Sequence, residues 1–405
     1  MPLKSWPKLK QKVAIIGLGY VGLPLAVAAA NSNFLVSGVD ANEMKVLGVN
    51  NGISTIEDIA DLDLKKLVLD GVLTASTDFS VIKEVQIVLI CVPTPLTPDQ
   101  KPDLTYVKTA TESVASHLSE DTLVILESTV SPGTTRNLIA PMLAQFSGLK
   151  PSQIQVAFSP ERIDPSNKTW GVKNTPKLVA GLSKEAGTRA IDFYSSFIDE
   201  VIRCDSLEVA ETAKLLENSF RYVNISFINE FLIFCQKLGV DVNQVIKAAA
   251  TKPYGFMPFY PSIGVGGHCI PVDPLYLSNK ARELGAPTRF IDLADQINQE
   301  MPGYFVGRAE EKLGGLKDKR ILVVGVAYKP NVADVRQTPV AALINGLKSK
   351  GAQVSWHDDL VSEWNNEISV ELKVGYDLAI LATPHAYIDL KKLGETLILD
   401  TRGLV

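Results

Sequence analysis

The chain predicts an α/β protein with two Rossmann-like, doubly wound domains joined by a helical middle section. Three observations carry this expectation. Short apolar runs alternate with amphipathic stretches over residues 12–201, a single uninterrupted helical segment follows, and the alternating pattern restarts near Gly303. Near-continuous Val, Ile and Leu runs mark parallel strands buried on both faces, and their alternation with helices marks βαβ units.

In the first part, VAIIGL (13–18), LVSGVD (35–40), VQIVLICV (85–92), TLVILEST (122–129) and QVAFSP (155–160) read as parallel strands. Asp205 and Glu208, three residues apart, form a candidate capping box for the segment that follows. Residues 206–238 contain no proline or internal glycine, which predicts a helix about 50 Å long at 1.5 Å per residue. Leu215, Leu216, Phe220, Val223, Phe227, Ile228 and Phe231 spread apolar surface over more than one of its faces. That breadth suits a spine between domains and a subunit interface, and predicts a homodimer or higher homo-oligomer. RILVVGVAY (320–328), AQVSWHD (352–358), DLAILAT (377–383) and LILDTR (397–402) read as the strands of the last part. These signs divide the chain into 1–204, 205–302 and 303–405.

The 405 residues are enough for two or three domains with their own cores. Forty Lys and Arg against 45 Asp and Glu leave no basic surface for nucleic acid. Cys91, Cys204, Cys235 and Cys269 contain no C-x-x-C pair and are too sparse for a disulfide framework, so a cytoplasmic setting is expected. Residues 13–39 carry no charge, which raises a membrane helix as an alternative. Gly17, Gly19, Gly22 and Pro24 interrupt that stretch, so a buried strand, turn, helix and strand explain it better. No secretory signal and no membrane span are expected.

KVAIIGLGYVGLPLA sets Gly17, Gly19 and Gly22 in G-x-G-x-x-G register between a strand and a helix. The first glycine permits the tight turn, the second admits a pyrophosphate to the backbone, and the third packs helix on strand. Asp40, eighteen residues after Gly22, is placed to accept hydrogen bonds from ribose hydroxyls and to repel a 2′-phosphate. NAD is therefore expected rather than NADP. Residues 91–95 and 127–133 lie at later strand ends, where their hydroxyls either contact ligand or cap the next helix.

IGVGGHCIPVDP (263–274) holds Cys269 after Gly266, Gly267 and His268, with Asp273 four residues on. If that loop opens a helix, the thiol pKa falls and a nucleophile results. Taken alone, such a His–Cys pair is more often structural than catalytic. The His and Cys show no zinc spacing, so no metal is expected. Lys214 and Asn218 share one face of the long helix, with Glu211 a turn earlier, either as a functional pair or as a solvated stripe.

GLGYVGLPLA, VPTP, ESTVSPGTT, SPER, ETAKLLENSFR, GGHCIPVDP and GVAYKPNVADVRQTP, in this order, resemble the nucleotide-sugar 6-dehydrogenases, the family that includes UDP-glucose and GDP-mannose dehydrogenases. The resemblance implies a metal-free, four-electron oxidation of a sugar alcohol to a carboxylate with two NAD+. It implies that Cys269 captures the aldehyde as a thiohemiacetal, which becomes a thioester. Lys214 and Asn218 are then implied as oxyanion stabilisers, Asp273 and Thr129 as holders of water, and Glu161 as general base. Implied cofactor contacts are Gly17, Gly19, Tyr20, Val21, Gly22, Asp40, Lys45, Thr94, Thr129 and Arg336. Implied substrate contacts are Glu161, Arg162, Lys214, Asn218, Phe259, Tyr260, Ser262, Gly266, Lys329 and Arg402. The last domain is implied to hold the UDP part of the substrate.

Two positions depart from the UDP-glucose pattern. Val272 stands where many of those enzymes have Lys, and SPERIDP puts Pro165 where a second Glu is usual. With His268, these changes resemble the branch acting on UDP-N-acetylhexosamines, and SPERIDPSN is most similar to UDP-N-acetylglucosamine 6-dehydrogenases. The mannosamine and galactosamine epimers and UDP-glucose stay as alternatives. A product of this kind feeds surface polysaccharide synthesis. A two-electron hydroxyacid-type dehydrogenase and a non-catalytic nucleotide-sugar sensor are the remoter alternatives, and neither needs the thiol.

Overall fold

The computed structural model describes residues 11–403 apart from 55, 57, 58, 165, 166 and 168. Pro165 thus lies outside the described residues. The chain forms two compact units, the first ending at Leu215 and the second beginning at Leu216.

The first unit contains strands β1 (Lys12–Ile16), β2 (Leu35–Val39), β3 (Leu73–Ser76), β4 (Ile87–Ile90), β5 (Leu123–Leu126), β6 (Gln155–Phe158), β7 (Lys177–Gly181) and β8 (Val201–Arg203). Between them run helices α1 (Gly22–Asn31), α2 (Glu43–Asn50), α3 (Asp61–Leu69), α4 (Thr105–Ala115), α5 (Ala140–Ser147) and α6 (Lys184–Tyr194). The sheet order is β3-β2-β1-β4-β5-β6-β7-β8. Its order reverses between β1 and β4, the switch point at which ligands of such sheets bind.

Every residue of β4 and of β5 is buried. Alternate side chains of one strand enter different cores. Val13, Ile15, Leu89 and Ile125 pack on one face. Ala14, Ile16, Val88, Ile90, Val124 and Leu126 pack on the other. Helices covering both faces require apolar residues at every strand position, which is why these runs carry no polar alternation.

The expected strands are present but end before the runs read for them, because the last residues of each run belong to the ligand-edge loops. Three further strands, β3, β7 and β8, lie outside the apolar runs. LTAS, KLVAG and VIR are short and flanked or filled by polar residues and glycine. β7 runs antiparallel to β6, against the parallel pairing of the other neighbours in the sheet.

Helix α7 (Leu207–Leu238) has 32 residues and belongs to both units. Its first turn is capped by Ser206, whose Oγ accepts from Val209 N–H at 3.2 Å. The cap therefore sits one residue beyond the expected Asp205. Glu208 faces Arg136, with a Nε–Oε1 distance of 2.6 Å, and that pairing takes it away from a reciprocal capping box.

The second unit adds α8 (Val242–Ala249), α9 (Asp273–Glu283), α10 (Arg289–Leu313) and α11 (Val340–Ser349). Its strands are β9 (Arg320–Val324), β10 (Gln353–His357), a short β11–β12 hairpin (Glu363–Trp364, Glu367–Ile368), β13 (Leu378–Leu381) and β14 (Leu397–Asp400). The main sheet is all parallel in the order β10-β9-β13-β14. Ile321 and Val323 face Val340, Leu343 and Leu347, while Leu322 and Val324 face Leu393. Helix α10 runs through residue 303 with Pro302 inside it, so the α/β pattern restarts after Leu313. Among the described residues, no helix is long and apolar enough to cross a membrane.

Candidate active site

The turn after β1 is shaped by backbone approach. Gly17 has φ +92° and its missing Cβ lies 2.6 Å from Cys91 O, while a Cβ on Gly22 would stand 1.8 Å from Gly17 O. Neither position admits a side chain. A Cβ on Gly19 would meet nothing within 4 Å, so a ligand's pyrophosphate can reach the backbone there. Asp40 follows β2 and accepts from Leu18 N–H at 2.8 Å and from Asn42 N–H at 2.9 Å. Lys45 Nζ stands 3.6 Å from its Oδ2. Each carboxylate oxygen keeps a lone pair for a ribose hydroxyl. Tyr20 is exposed, and Val21 and Thr94 are half-buried. These residues fit a dinucleotide.

At the carboxyl edge of the same sheet, the loop after β5 is tied to α7. Glu211 is fully buried and accepts from Gly133 N–H at 2.6 Å, Thr135 N–H at 2.9 Å and Thr135 Oγ at 2.6 Å. The loop that presents Thr129 is thus held by a carboxylate rather than by the solvated Glu–Lys pair that spacing allowed. Lys214 and Asn218 are 7% and 6% exposed, so neither lies on a solvated stripe.

Glu161 follows β6. Its Oε1 accepts from Arg162 N–H at 2.6 Å and Ile163 N–H at 2.7 Å, and its Oε2 lies 3.4 Å from Lys177 Nζ. Burial pushes the Glu161 carboxyl up, but Lys177 and the two backbone donors outweigh it and hold it below the usual range. Lys177 also pairs with Glu127 Oε2 at 2.6 Å, and Tyr194 OH donates to Glu127 Oε1. Glu127, wholly buried, is pushed up to about 7 by desolvation. Arg162 Nη1 donates to Pro176 O at 2.6 Å. The sequence reading missed Lys177, Tyr194 and the part played by Glu127. Only Glu127 stood in a recognised loop; the other two come from an unforeseen strand and from α6.

In the second unit, Cys269 is exposed, whereas Cys91 and Cys235 are buried and Cys204 is intermediate. Its carbonyl accepts from Asp273 N–H at 2.8 Å and Val272 N–H at 3.2 Å, in the turn that leads into α9. The expected helix does open here, four residues past the thiol. Asp273 is 3% exposed and its Oδ2 accepts from Asn218 Nδ2 at 2.6 Å. The glycines before the thiol allow close packing: a Cβ on Gly267, at φ +87°, would come within 2.8 Å of the Tyr328 ring. A Cβ on Gly266 would lie 2.8 Å from Gln337 O.

Ser262 N–H donates to Asn229 Oδ1 at 2.8 Å, which fixes the loop of Phe259, Tyr260 and Ser262 to α7. Phe259 packs edge-on against Phe220 at 5.8 Å between centroids, and Tyr260 is exposed. Arg336 is held by Asp334, with Nε 2.8 and 2.9 Å from the two carboxylate oxygens. Lys329 is half-buried in the loop after β9. Arg402 follows β14, its Nε 3.5 Å from Asp400 Oδ1 and its carbonyl taking Asn243 Nδ2 at 2.9 Å. Among the described residues there is no His, Cys, Asp and Glu cluster able to hold a metal ion.

Three family models match the chain in series: the NAD-binding domain of the UDP-glucose/GDP-mannose dehydrogenase family over residues 11–198, its central domain over 208–300 and its UDP-binding domain over 322–405. The chain belongs to the UDP-glucose/GDP-mannose dehydrogenase family. It is an NAD-dependent nucleotide-sugar dehydrogenase, with the three-part fold of that family. Protein CapL of Staphylococcus aureus is 35% identical over 97% of this chain and 94% of its own length. The UDP-N-acetyl-D-glucosamine 6-dehydrogenase of Pseudomonas aeruginosa is 34% identical over 95% of this chain and 92% of its own. The solved structure of a UDP-D-ManNAc dehydrogenase from Pyrococcus horikoshii has a TM-score of 0.90 at 32% identity, covering 98% of this chain and 96% of that one.

In this dehydrogenase the G-x-G-x-x-G turn and Asp40 lie within the segment matched by the NAD-binding model. Lys214, Asn218, Cys269 and Asp273 lie within the central one, and Lys329, Arg336 and Arg402 within the UDP-binding one.

Proposed function

We propose that this dehydrogenase oxidises the C6 alcohol of a UDP-N-acetylhexosamine to the carboxylate through a covalent intermediate on Cys269. UDP-N-acetylglucosamine is the favoured substrate. The Pseudomonas aeruginosa relative and the SPERIDPSN segment support that choice. UDP-N-acetylmannosamine is the second reading, supported by the Pyrococcus horikoshii structure. The observation that carries the mechanism is the contrast among the thiols: Cys269 is exposed in the turn before α9, next to the buried Asn218–Asp273 pair.

NAD+, when bound, accepts a hydride, and the full reaction needs that acceptance twice. The proposed cofactor contacts are Gly17, Gly19, Tyr20, Val21, Gly22, Asp40, Lys45, Thr94, Thr129 and Arg336. After the alcohol has become an aldehyde, the Cys269 sulfur bonds to C6. The thiohemiacetal keeps the carbon-bound hydrogen that the second oxidation removes, and it keeps the half-oxidised sugar from escaping. Lys214 and Asn218 stabilise the oxyanion at each tetrahedral stage, Lys214 by charge and Asn218 as a hydrogen-bond donor, as pre-aligned donors do. The second oxidation leaves a thioester. Water placed by Thr129 and Asp273 and deprotonated by Glu161 attacks it, the C–S bond breaks, and the thiolate is restored. Glu161 suits that task because Lys177 and two backbone N–H groups keep its carboxyl ionised despite burial. Arg162, Phe259, Tyr260, Ser262, Gly266, Lys329 and Arg402 complete the proposed substrate site, and the division 1–204, 205–302 and 303–405 belongs to the same proposal. Feeding a surface polysaccharide is the proposed fate of the product.

A homodimer through α7 is proposed as well. Leu216, Phe220, Phe227, Phe234 and Leu238 are between 47% and 62% exposed on that helix. Such a row of large apolar groups is unusual on a free surface.

The test is NADH yield per sugar across a panel of UDP-hexoses and UDP-N-acetylhexosamines. Two NADH per sugar, highest in rate for UDP-N-acetylglucosamine, is the expected result. A yield of one removes the covalent four-electron scheme, and no NADH from any of them favours a nucleotide-sugar sensor.

A further inference from the structure

Lys177 is not among the proposed substrate or cofactor contacts, yet it is 4% exposed and faces two carboxylates. Its place follows from topology. Because β7 runs antiparallel to β6, the first residue of β7 returns to the carboxyl edge of the sheet, where the ends of the parallel strands gather. Five other elements present ionisable or polar groups to this spot. Cys91 comes from the end of β4, Glu127 from the end of β5, Ser159 and Glu161 from the end of β6, Tyr194 from α6 and Lys214 from α7.

We propose that Lys177 is a positioning residue that, with Glu127 behind it, orients the Glu161 carboxylate and sets how strongly that carboxylate draws a proton from water. The proposal rests on Glu161 being the general base.

The geometry divides Glu161 into two ends. Oε1 takes the N–H groups of Arg162 and Ile163, and Oε2 faces the ammonium of Lys177. One rotamer is thereby fixed from both sides. The ammonium is shared: it lies 2.6 Å from Glu127 and 3.4 Å from Glu161. Tyr194 holds the far oxygen of Glu127, so Glu127 cannot swing away. Burial opposes the charge on Lys177, but the two carboxylates outweigh it and hold its pKa above the ordinary lysine value. Lys177 is therefore a permanent cation, and the variable is how many anions face it.

Desolvation raises Glu127 to about 7, while Glu161 stays below its usual range. Below that pH the trio is neutral, with one cation, one carboxylate and one protonated acid. Above it, a second buried negative charge appears and competes for the same ammonium. The extra anion raises the proton affinity of Glu161, because a like charge nearby disfavours its ionised form. Base strength thus climbs as pH rises through the Glu127 transition. Cys91 and Tyr194 do not add to this switch, since burial raises both well above their ordinary values. From α7, Lys214 adds a further attraction on the Glu161 carboxylate.

The test uses full-length enzyme, NAD+ and whichever UDP-sugar gives the highest NADH yield, with kcat and KM measured from pH 5.5 to 9 (about the range over which such groups titrate). Glu127→Gln keeps the shape and removes the ionisation. The expected result is loss of the kcat limb near neutrality, with KM for both substrates unchanged within about twofold. Lys177→Met removes the cation. The expected result is a kcat at least about tenfold lower, within the range supplied by a general base, with an NADH burst still present. The thioester on Cys269 then accumulates as a covalent mass increment, and Lys177→Arg restores part of the rate. Should Lys177→Met not fold, Glu127→Gln decides alone. An unchanged kcat–pH profile in Glu127→Gln overturns the proposal, as does hydrolysis at the wild-type rate in folded Lys177→Met. Glu161→Gln separates the two layers. If it turns over normally, the base assignment fails and the positioning proposal falls with it. If it stalls while the other two variants behave as wild type, only the positioning proposal is lost.

Discussion

Single side chains are held here by partners that come from distant positions in the chain. Asp273 receives Asn218 from 55 residues away, and Glu211 receives Gly133 from 78. At Cys269 the exposed thiol makes a sharp prediction. Cys269→Ser should lower full oxidation by at least about 10³-fold, the scale on which loss of an enzyme nucleophile is felt, without changing NAD+ affinity. Product analysis by mass spectrometry checks it: carboxylate formed at a wild-type rate would remove the sulfur from the mechanism. Asp40 makes a second. Its carboxylate already holds Leu18 and Asn42, so Asp40→Ser should both loosen the turn and admit a 2′-phosphate. Since like charges in contact cost several kcal/mol, the NAD+ over NADP+ ratio in kcat/KM should fall by about tenfold or more. An unaltered ratio would place the discrimination elsewhere.

The elements show which residues could be read in advance. β4 and β5, and β1 after its opening Lys12, are legible because both faces are covered, leaving those positions apolar. α7 is legible because nothing in residues 206–238 breaks a helix. β7 is not, and with it goes Lys177. A five-residue KLVAG has the length of a loop fragment, and only its pairing with β6 and β8 makes it a strand. The cap of α7 was misplaced by one residue for a related reason: Asp205, Ser206 and Glu208 compete for it, and Arg136, which claims Glu208, is 72 positions away. The β1–α1 turn gives the prediction at this scale. A methyl group on residue 22 would overlap Gly17 O at 1.8 Å, so the helix must move off the strand. Gly22→Ala should cost about 1–3 kcal/mol, the range for overpacked sites, and lower NAD+ affinity at the same time. Thermal melting and NAD+ titration report the two effects. A stable variant with intact binding would show that the turn yields.

For the whole molecule, the prediction concerns assembly. α7 leaves Leu216, Phe220, Phe227, Phe234 and Leu238 at 47–62% exposure in one chain. Light scattering at micromolar concentration should give twice the chain mass or a multiple of it. Phe227→Glu should lower that mass, because a charge in the middle of an apolar interface is left without a partner. A wild-type monomer, or an assembly indifferent to Phe227→Glu, contradicts the α7 interface.

Strands β1, β2, β4, β5 and β6, helix α7, the dinucleotide turn, the carboxylate after β2 and the placing of Cys269 ahead of a helix were legible in local sequence. Each depends on the spacing of nearby residues: apolar period, glycine register, a cysteine before a helix. What only the tertiary structure decided is which charges meet. Lys177 faces Glu127 and Glu161 across 50 and 16 positions, and Glu211 reaches a loop rather than its neighbour Lys214. Those partnerships depend on strand order and on the one antiparallel pairing in the first sheet, which brings residues far apart in the chain into the same desolvated volume. Burial then sets their ionisation, and burial is a property of the folded chain that no residue carries alone.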